Sequence, residues 1–577
     1  MTSNDSNAVT GDLSRNIISE LKRNGLILMT GAEQRALDKA WTESTGLLLS
    51  VLMEQAASAV TTVVLTLLSA WSSNSADYGS PAVDALGSDE TRSAGEISEL
   101  IVNPDRGKWI LVLAGAGQNG GDAWATARQL LAYDLAVSVV DLSGGRVLPV
   151  EAAANRQAYL NLDGVVLTAD DLAEMETFPD IIIDGIFGTG FQNRPLAAAL
   201  DDLLAEINRL GEKAEAVVAI DIPSGVNADT GEAITNAIIA DYTVSFGRPK
   251  VGLFSAPGCL FAGEVISAPI SMPSAWQERK LEQSLGKERI IHLAVTGEWL
   301  SPRQIERCAA GHKGNFGRGL ILGGSPGVPG AVILAARGMM AAGSGYTYVQ
   351  TVPEILPLLA DALPSALISE VGTVAELLQL TEQVQAVACG PGAGESDWLR
   401  FLPDLIESAP QLVLDADALN YLAGLSDWET LTARRAEAGL SPAILTPHPL
   451  ELLRLAPDLE EMLKLDRAGA ALALANRSQS IVILKGLATV TALPSGVCLY
   501  NTSGNNGLAK AGSGDVLTGM MCSFLAQGYK AEIAAPAAVY LHGLAADLAL
   551  QKLGTARSIT PELILDYLPQ SFIQVDW

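Results

Sequence analysis

The sequence predicts two successive α/β domains, each built around a largely parallel sheet. The chain has 577 residues, of which 49% are hydrophobic, so it is long enough for two large domains with separate cores. In both halves, short apolar and β-branched runs that end in Gly, Asp or Ser alternate with Ala- and Leu-rich stretches. This alternation is typical of parallel strands joined by crossover helices, and site loops are then expected at the carboxyl ends of the strands.

The predicted strands divide between two halves of the chain. The first half contains WILVLAG, AVSVVD, DIIIDGIFG and AVVAIDIPSG, and the second contains GRGLILGGS, YTYVQTV, AVACGPGAG, QLVLDADAL, AILTPHP, SIVILKG and ATVTAL. The charged segment Ser271–Arg289 has no strand pattern. We therefore expect residues 1–280 to form one domain and residues 281–577 the other. The polar stretch Ser72–Glu96 is expected to be an exposed loop or insertion.

Composition excludes several classes of function. The net charge of −28 disfavours nucleic acid and anionic membranes as partners, because both are polyanions. Five scattered cysteines without a CxxC pair disfavour a disulfide scaffold and a cysteine zinc site. The most membrane-like stretch, Ala56–Trp71, is shorter than the roughly 20 residues that span a bilayer, so it is predicted to be a buried helix. We expect a cytoplasmic protein.

A glycine-rich loop, GAGQNGGD, follows the first predicted strand of the first half. Its GxGxxG spacing, with Asp141 at the end of the next strand, matches a dinucleotide-binding fingerprint, so a dehydrogenase is one interpretation. A tight turn without a ligand is another. Asn119 and Asp122 instead place an amide oxygen and a carboxylate on this loop, and these groups suit a hard cation better than a pyrophosphate.

Two further loops of the first half carry polar side chains where strands end. Asp184 ends the strand before GIFGTGFQNRP, and Asp221 ends the strand before IPSGVNADTG, which contains Ser224. A single Asp at a strand end is commonly a helix cap. Three such loops at one edge of a doubly wound sheet favour a ligand site.

These loops resemble those of the NAD(P)H-hydrate epimerases. The resemblance runs from Met29 to about Pro269 and rests on MTGAEQRALDKAW, LMEQAA, NGGD, GIFGTGF, DIPSG and FGRPKVGLFSAPG, in that order. It implies a Rossmann-like domain in which a potassium ion is held by Asn119, Asp184 and Ser224. It also implies that the hydrated nicotinamide nucleotide contacts Gln118, Asn119, Gly120, Gly121, Asp122, Gly188, Thr189, Gly190, Phe191, Gln192, Asn193, Arg194 and Asp221. Gln118 stands where the family usually has Asn.

The reaction implied by this resemblance inverts C6 of the hydrated nicotinamide ring. An acid–base group must help the hydroxyl leave and return on the other face, through a planar iminium-like species. Asp184 is the candidate for that group, and it could also be an ion ligand. The residues alone do not separate these two roles. A non-catalytic binding module is the alternative for this half.

The second half contains the motif NNGLAKAGSGDVLTGM at Asn505–Met520. Gly512, Ser513 and Gly514 would direct backbone N–H groups towards an anion at a helix N-terminus. Asp515, in the first turn of that helix, could take a proton from a hydroxyl that attacks phosphorus. Stabilisation of the helix dipole is its simpler role. GSGD loops with a catalytic Asp mark small-molecule kinases of the ribokinase fold, so this domain is predicted to be ribokinase-like.

The other motifs of this half resemble the NAD(P)H-hydrate dehydratases, over about Leu300 to Tyr567. They are HKGNFGRGLILGGSPGVPGA, GPGAG, DADALN, LTPHPLE, LKGLATV and LHGLAAD. The resemblance implies that the nucleotide contacts Lys485, Gly486, Leu487, Ala488, Thr489 and Gly514, and that the hydrate contacts Ala331, Gly392 or Gly394, His448 and Asp515. Leu450 and Ala511 each stand where the family usually has Gly.

The dehydratase resemblance implies that Asp515 deprotonates the C6 hydroxyl as it attacks the terminal phosphoryl group of a nucleotide, after which phosphate leaves. Mg²⁺ is expected to bridge the nucleotide phosphates. ADP is the expected donor, with ATP as the alternative, and a homo-oligomer is expected. Lys485 could offset phosphate charge or be a solvated lysine, and His448 could contact the hydrate or be structural. The competing interpretation is a ribokinase-fold kinase that releases its phosphorylated product.

Overall fold

The computed structural model describes residues 20–74, 108–173, 175, 177–192, 196–286 and 289–577. Of the insertion predicted at Ser72–Glu96, only the first three residues fall in these ranges, where they end a helix. The chain divides into two compact units. The N-terminal unit is Leu28–Arg289, and the described part of the C-terminal unit is residues 20–27 with Ile290–Trp577. The functional boundary at 280/281 stays a prediction.

The strands, in chain order, are β1 (Leu26–Leu28), β2 (Trp109–Ala114), β3 (Ala136–Asp141), β4 (Val165–Leu167), β5 (Ile181–Gly185), β6 (Ala216–Ile220), β7 (Tyr242–Phe246), β8 (Glu264–Ala268), β9 (Ile291–Val295), β10 (Arg318–Leu322), β11 (Tyr346–Thr351), β12 (Leu367–Glu370), β13 (Ala386–Cys389), β14 (Leu412–Leu414), β15 (Ile444–Leu445), β16 (Ile481–Leu484), β17 (Val490–Leu493) and β18 (Val497–Asn501).

The helices are α1 (Gly31–Thr45), α2 (Leu49–Asn74), α3 (Gln118–Leu131), α4 (Val150–Leu160), α5 (Ala169–Ala173), α6 (Ala198–Gly211), α7 (Ser274–Leu285), α8 (Gly297–Leu300), α9 (Pro329–Ala341), α10 (Leu356–Ala362), α11 (Val374–Thr381), α12 (Leu402–Ser408), α13 (Asp417–Ala423), α14 (Trp428–Glu437), α15 (Pro449–Leu455), α16 (Glu460–Leu465), α17 (Arg467–Ser478), α18 (Ser513–Ala526), α19 (Ala531–Leu553) and α20 (Pro561–Gln574).

The sheet of the N-terminal unit has the order β4-β3-β2-β5-β6-β7-β8, and its strands pair in parallel. Alternate residues of β2 enter cores on opposite faces. Ile110 and Val112 pack with residues of α1, α2 and α3, whereas Leu111 and Leu113 pack with residues of α6. Burial on both faces explains why these strands are continuous apolar runs. The predicted doubly wound, Rossmann-like sheet is confirmed.

The sheet of the C-terminal unit has the order β1-β9-β18-β17-β16-β15-β14-β13-β10-β11-β12. Its central strands are parallel, and β17 is antiparallel to both β16 and β18. The predicted strands of this half are confirmed as β10, β11, β13, β14, β15, β16 and β17. The strand β12 was not predicted, since it is short and mostly exposed at the sheet edge and so has no apolar run.

Site loops follow strands that are neighbours in each sheet. In the N-terminal unit these strands are β2, β5 and β6, and in the C-terminal unit they are β14, β15 and β16. Because each of these groups is parallel, the carboxyl ends of its strands lie at one edge of the sheet. The fold therefore brings the loops predicted to carry ligands together.

Among the residues that the structure describes, two helices are long and apolar enough to cross a membrane by length and composition. They are Leu49–Trp71, within α2, and Ala531–Leu553, which is α19. The share of the window that is buried is 78% for α19, as in a core helix, but 39% for α2. The apolar helix predicted at Ala56–Trp71 is therefore longer than expected, because it begins at Leu49, and it is buried on one face rather than all round.

Candidate active sites

Two glycines of the β2–α3 loop, Gly115 and Gly120, are required by close backbone packing. An ideal Cβ on Gly120 would lie 1.9 Å from the carbonyl oxygen of Gly115, and one on Gly115 would lie 1.9 Å from that of Ile186. Any side chain at these positions would push the loop away from the segment after β5. This packing fixes the first turn of α3, which carries the predicted residues Gln118 and Asn119, beside the segment that follows Asp184.

Asp184 is fully buried and tightly held at the end of β5. Its Oδ1 accepts hydrogen bonds from the Ser224 hydroxyl at 2.6 Å and from Ile186 N at 3.1 Å, while its Oδ2 accepts from Ser224 N at 2.7 Å. Burial raises the pKa of Asp184 to about 6, although the bonds from Ser224 oppose this shift. A carboxyl group with this pKa can either hold or release a proton near neutral pH.

The three predicted potassium ligands come together on the segment after β5. The Ser224 hydroxyl accepts a hydrogen bond from Phe187 N at 2.9 Å, and Asn119 Nδ2 donates to Phe187 O at 2.8 Å. A Cβ on Gly188 would lie 3.4 Å from Asn119 Oδ1. The donor set is therefore an amide, a carboxylate and a hydroxyl oxygen in one buried region. Hard oxygen donors of this kind fit an alkali cation.

A second cluster of charged groups surrounds Asp221. Lys250 is fully buried, and its Nζ lies 2.5 Å from Asp221 Oδ1, which also accepts from Phe246 N at 3.0 Å. Burial, and then the charges of Asp221 and Asp38, raise the pKa of Asp122 well above its usual value. Burial likewise raises the pKa of Asp38. Lys250 and Asp38 were not predicted from the sequence, although Lys250 lies in the motif FGRPKVGL and Asp38 in the motif RALDKAW.

The loop after β5 packs on itself and lies against the start of α1. Phe191 stacks on Phe187 with ring centroids 5.1 Å apart, and a Cβ on Gly31, at the start of α1, would lie 3.1 Å from Thr189 O. Gly190 has open space around it, and Gln192 is exposed. The predicted residues Asn193 and Arg194 lie outside the described residues.

In the C-terminal unit, Gly512 caps helix α18 with a left-handed backbone, at φ 97°. Asp515 therefore stands in the first turn of α18, as predicted. Burial and then the Asp415 charge raise the pKa of Asp515 to about 7, while Lys485 opposes the shift. Ala511 does not have a positive φ, so the replacement of the family's Gly at this position leaves the loop backbone unstrained.

Asp415, at the end of β14, is the centre of a buried network that the sequence analysis did not single out. Its Oδ1 accepts from Lys485 Nζ at 2.7 Å and from Thr446 Oγ1 at 2.6 Å, and its Oδ2 accepts from Thr518 Oγ1 at 2.7 Å. In the sequence, Asp415 was noted only as part of the DADALN motif and was given no role of its own. A strand-end Asp there was as strong a signal as Asp184 or Asp221 in the first half.

The predicted nucleotide-binding segment begins at Lys485 and continues into the loop that follows it. Gly486 has φ 135° and Ala488 has φ 48°, and the Thr489 hydroxyl donates to Gly486 O at 2.9 Å. Leu487 is 50% exposed. An Ala in the left-handed region is strained, and strain of this kind is concentrated at ligand-binding loops.

The predicted hydrate residues of this unit are brought together by two glycine loops. A Cβ on Gly392 would lie 2.8 Å from Ala331 Cβ, so these two residues are in contact. Gly394 N donates to Asp417 Oδ2 at 2.8 Å, and the charge of Asp417 acts on Asp515. The structure therefore connects Ala331 and Gly392 with each other, and Gly394 with the surroundings of Asp515.

His448 is the N-cap of helix α15. Its Nδ1 accepts hydrogen bonds from Leu450 N at 3.1 Å and Glu451 N at 3.3 Å, and Glu451 Oε2 accepts from His448 N at 2.7 Å. The structure thus gives His448 a capping role, while 43% of its side chain is exposed. Leu450, where the family usually has Gly, is itself exposed.

Within the described parts of the chain, no group of three or more His, Cys, Asp and Glu residues is arranged to hold a metal ion. The potassium donor set above contains only one such residue.

Comparison with known proteins gives matches over both halves. Residues 319–570 match the family model described as NAD(P)H-hydrate dehydratase, and residues 49–252 match the model described as YjeF-related protein N-terminus. The bifunctional NAD(P)H-hydrate repair enzyme Nnr of Moorella thermoacetica is 33% identical over 518 residues, which are 86% of this chain and 93% of that protein. The enzyme of the same name from Escherichia coli is 32% identical over 463 residues, or 80% of this chain and 84% of that one.

Among solved structures, the ADP/ATP-dependent NAD(P)H-hydrate dehydratase of Bacillus subtilis, co-crystallised with ATP/Mg²⁺, matches 48% of this chain and 97% of its own. The sequence identity is 32% and the TM-score is 0.41. The predicted ribokinase-like class of the C-terminal unit is confirmed by the dehydratase family match. The two family matches and the long alignments together show that this chain belongs to the family of bifunctional NAD(P)H-hydrate repair enzymes.

Proposed function

We propose that this chain restores NADH and NADPH from their hydrates, with an epimerase site at Asp184 and a nucleotide-dependent dehydratase site at Asp515. The observation that carries the proposal is that each family match contains a carboxyl group of raised pKa: Asp184, fully buried at the end of a parallel strand, and Asp515, partly buried in the first turn of α18. A stereospecific dehydratase repairs one C6 epimer only. An epimerase on the same chain supplies the other.

In the epimerase site, Asp184 is the acid–base group at C6 of the ring. Its pKa of about 6 lets it protonate the departing hydroxyl and then deprotonate the water that returns on the other face. The hydrate is held by Asp221, the Gln118–Asp122 loop and the Gly188–Arg194 loop. Asn119, Asp184 and Ser224 would hold a potassium ion, which would supply a positive charge beside the Asp184 carboxyl group.

In the dehydratase site, Asp515 takes the proton of the C6 hydroxyl as that oxygen attacks the terminal phosphoryl group of ADP, and AMP leaves as the bond between the two phosphates breaks. Phosphate then leaves C6 with the bonding electrons, and loss of a proton from C5 restores the dihydropyridine ring. The nucleotide contacts Gly486–Thr489 and Gly514, and the hydrate contacts Ala331, Gly392 or Gly394, and His448. Mg²⁺ bound to the nucleotide would neutralise phosphate charge. The protein is proposed to be a cytoplasmic homo-oligomer.

The test follows the dihydropyridine absorbance band with mixed hydrate epimers, K⁺, Mg²⁺ and either ADP or ATP. We expect complete recovery by the wild-type protein, more rapidly with ADP. Asp515→Asn should abolish recovery. Asp184→Asn should stop at the fraction present as the dehydratase substrate, because the other epimer is no longer converted.

Exposed carboxylates give matched controls for both variants. Asp163→Asn in the N-terminal unit and Asp361→Asn in the C-terminal unit alter exposed residues and should behave as wild type. Complete recovery by Asp184→Asn would contradict the epimerase assignment. Absence of recovery with either nucleotide, together with phosphorylation of a small alcohol, would favour the kinase interpretation instead.

A further inference from the structure

Lys485 lies among carboxylates rather than in open space. Its Nζ is 2.7 Å from Asp415 Oδ1 and 3.7 Å from Glu451 Oε2. It is also next to the phosphate loop, since a Cβ on Gly514 would lie 3.8 Å from the same nitrogen. The ammonium group therefore has a close counter-charge within the protein before any nucleotide binds.

Asp415 is held rigidly in the position from which it binds Lys485. It is 2% exposed, and the two threonine hydroxyls that donate to it come from Thr446, directly after β15, and from Thr518 on α18. Thr518 is on the same helix as Asp515 and one turn further along. The next residue, Ala416, has φ 48° and ψ −115°, a strained backbone for a residue with a side chain. The network thus ties the ends of β14, β15 and β16 to the helix that carries Asp515.

We propose that Asp415 is a positioning residue of the dehydratase: it anchors the Lys485 ammonium beneath the Gly512–Asp515 loop, so that Lys485 serves the Asp515 carboxyl group rather than the nucleotide phosphates. This inference rests on the proposed function of Asp515 as the base. It differs from both roles that the sequence left open for Lys485, which were to offset phosphate charge and to be a solvated lysine.

The charges around Asp515 support the proposal that Asp415 positions Lys485 and that Lys485 acts on Asp515. Asp415 at the end of β14 and Asp417 at the start of α13 raise its pKa, beyond the larger effect of burial, and Lys485 at the end of β16 lowers it. Glu451 on α15 faces Lys485. Burial opposes the charges of Lys485 and Asp415, but their mutual attraction outweighs it and keeps both ionised. Asp515 is therefore balanced between one fixed cation and several fixed anions.

This balance predicts opposite effects on the pH profile of dehydration. Asp515 must be ionised to act as the base, so the rate rises with pH through its pKa. Asp415→Asn removes an anion and leaves Lys485 less neutralised, which lowers the pKa of Asp515. The acidic limb of the pH–rate profile, where the rate rises with pH, should therefore move to lower pH. Lys485→Met removes the cation, so the limb should move to higher pH. A residue that only maintained the fold would not shift the limb in a direction set by its charge.

The experiment measures kcat, KM and pH profiles for dehydration, together with the Kd for Mg-ADP, on full-length Asp415→Asn, Lys485→Met and the double variant. We expect kcat to fall at least tenfold in each single variant, with the Kd changed by less than threefold. The double variant should have a limb between those of the single variants. Asp361→Asn, an exposed carboxylate, is the matched control.

Thr518→Val provides a milder change if Asp415→Asn does not fold. It removes one donor to Asp415 and should lower kcat several-fold without altering the Kd for Mg-ADP. A tenfold or greater loss of Mg-ADP affinity in Lys485→Met would overturn the inference, as would an unchanged limb in folded Asp415→Asn. Binding of Mg-ADP can be measured even if the wild-type protein does not restore NADH or NADPH, so failure of the proposed function and failure of this inference are distinguishable.

Discussion

At the scale of single residues, one buried histidine lies against the phosphate loop Gly512–Asp515. His542, on α19, is 5% exposed and hydrogen-bonds to the backbone of Ser513 in that loop. Its Nε2 and the Ser513 hydroxyl are buried without a hydrogen-bond partner in the described structure. Burial lowers the pKa of His542 to about 4, so the ring is neutral at physiological pH.

His542 should make the protein sensitive to acid. The unfolded chain takes up a proton at the ordinary histidine pKa of 6.5, whereas the folded chain does so only near pKa 4. The stabilisation from a neutral His542 is therefore complete above pH 6.5 and is lost as pH falls towards 4, by about 3 kcal/mol. Urea unfolding at several pH values gives the free energy of unfolding of wild type and of His542→Gln. The loss is the difference between the two slopes of this free energy against pH. Equal slopes would contradict the prediction.

Residue types at strand ends were predictable, but their partners were not. Asp184, Asp221 and Ser224 were identified because they end or follow an apolar run beside a glycine-rich loop, and the structure places them at the carboxyl edge of a sheet. Asp515 was identified because it follows GSG ahead of an apolar stretch, and the structure places it at a helix N-terminus. The ion pairs made by Lys250 and Lys485 join residues that are 29 and 70 positions apart. No local pattern reports such a pairing, because it depends on which strands become neighbours.

At the scale of elements, helix α18 is positioned by unusually close contact with α9. A Cβ on Gly519 would lie 1.8 Å from Ala335 O, and one on Gly338 would lie 2.4 Å from Val516 O. The helices therefore meet backbone to backbone, with a glycine on each side. The contact with α9 fixes the position of α18, and therefore that of Asp515 in its first turn.

Gly519→Ala should destabilise the C-terminal unit, because the added methyl group forces α18 away from α9. Overpacking of this kind typically costs about 1–3 kcal/mol. Gly330→Ala is the matched control: Gly330 lies in the first turn of α9, has open space around it, and should be neutral or slightly stabilising when replaced. Urea unfolding followed by circular dichroism compares the two variants. Similar stabilities for both would show that the helices can separate without cost.

Elements with a buried face were predictable in type, whereas exposed ones were not. The strands β2 and β16 are buried along their whole length and gave continuous apolar runs. The edge strand β12 and the half-buried β8 gave no such signal, because their polar outward residues resemble a loop. The length of α2 was underestimated because its first turns, at Leu49 and Val51, precede the apolar run that the sequence analysis recognised.

At the scale of the whole molecule, the two units have separate cores and separate sites. The cores of the N-terminal unit contain residues between Met29 and Leu281, and the core of the C-terminal unit contains Leu21 and residues from Ile291 to Val575. A ligand that binds the folded state of one unit stabilises that unit by RT ln(1 + [L]/Kd), which is about 2.7 kcal/mol at a hundredfold excess over Kd.

Calorimetry should therefore resolve two unfolding transitions that respond to different ligands. Mg-ADP should raise the transition of the C-terminal unit alone, and K⁺ in place of Li⁺ should raise that of the N-terminal unit alone. Gly519→Ala should lower the unfolding temperature of the C-terminal unit and so identify its transition. Lys250→Met should identify the transition of the N-terminal unit in the same way. It leaves Asp221 without its buried counter-ion, a change that typically lowers the free energy of unfolding by about 3–5 kcal/mol. A single transition that moved with both ligands would mean that the units unfold together, and a potassium-independent N-terminal transition would contradict the ion site at Asn119, Asp184 and Ser224.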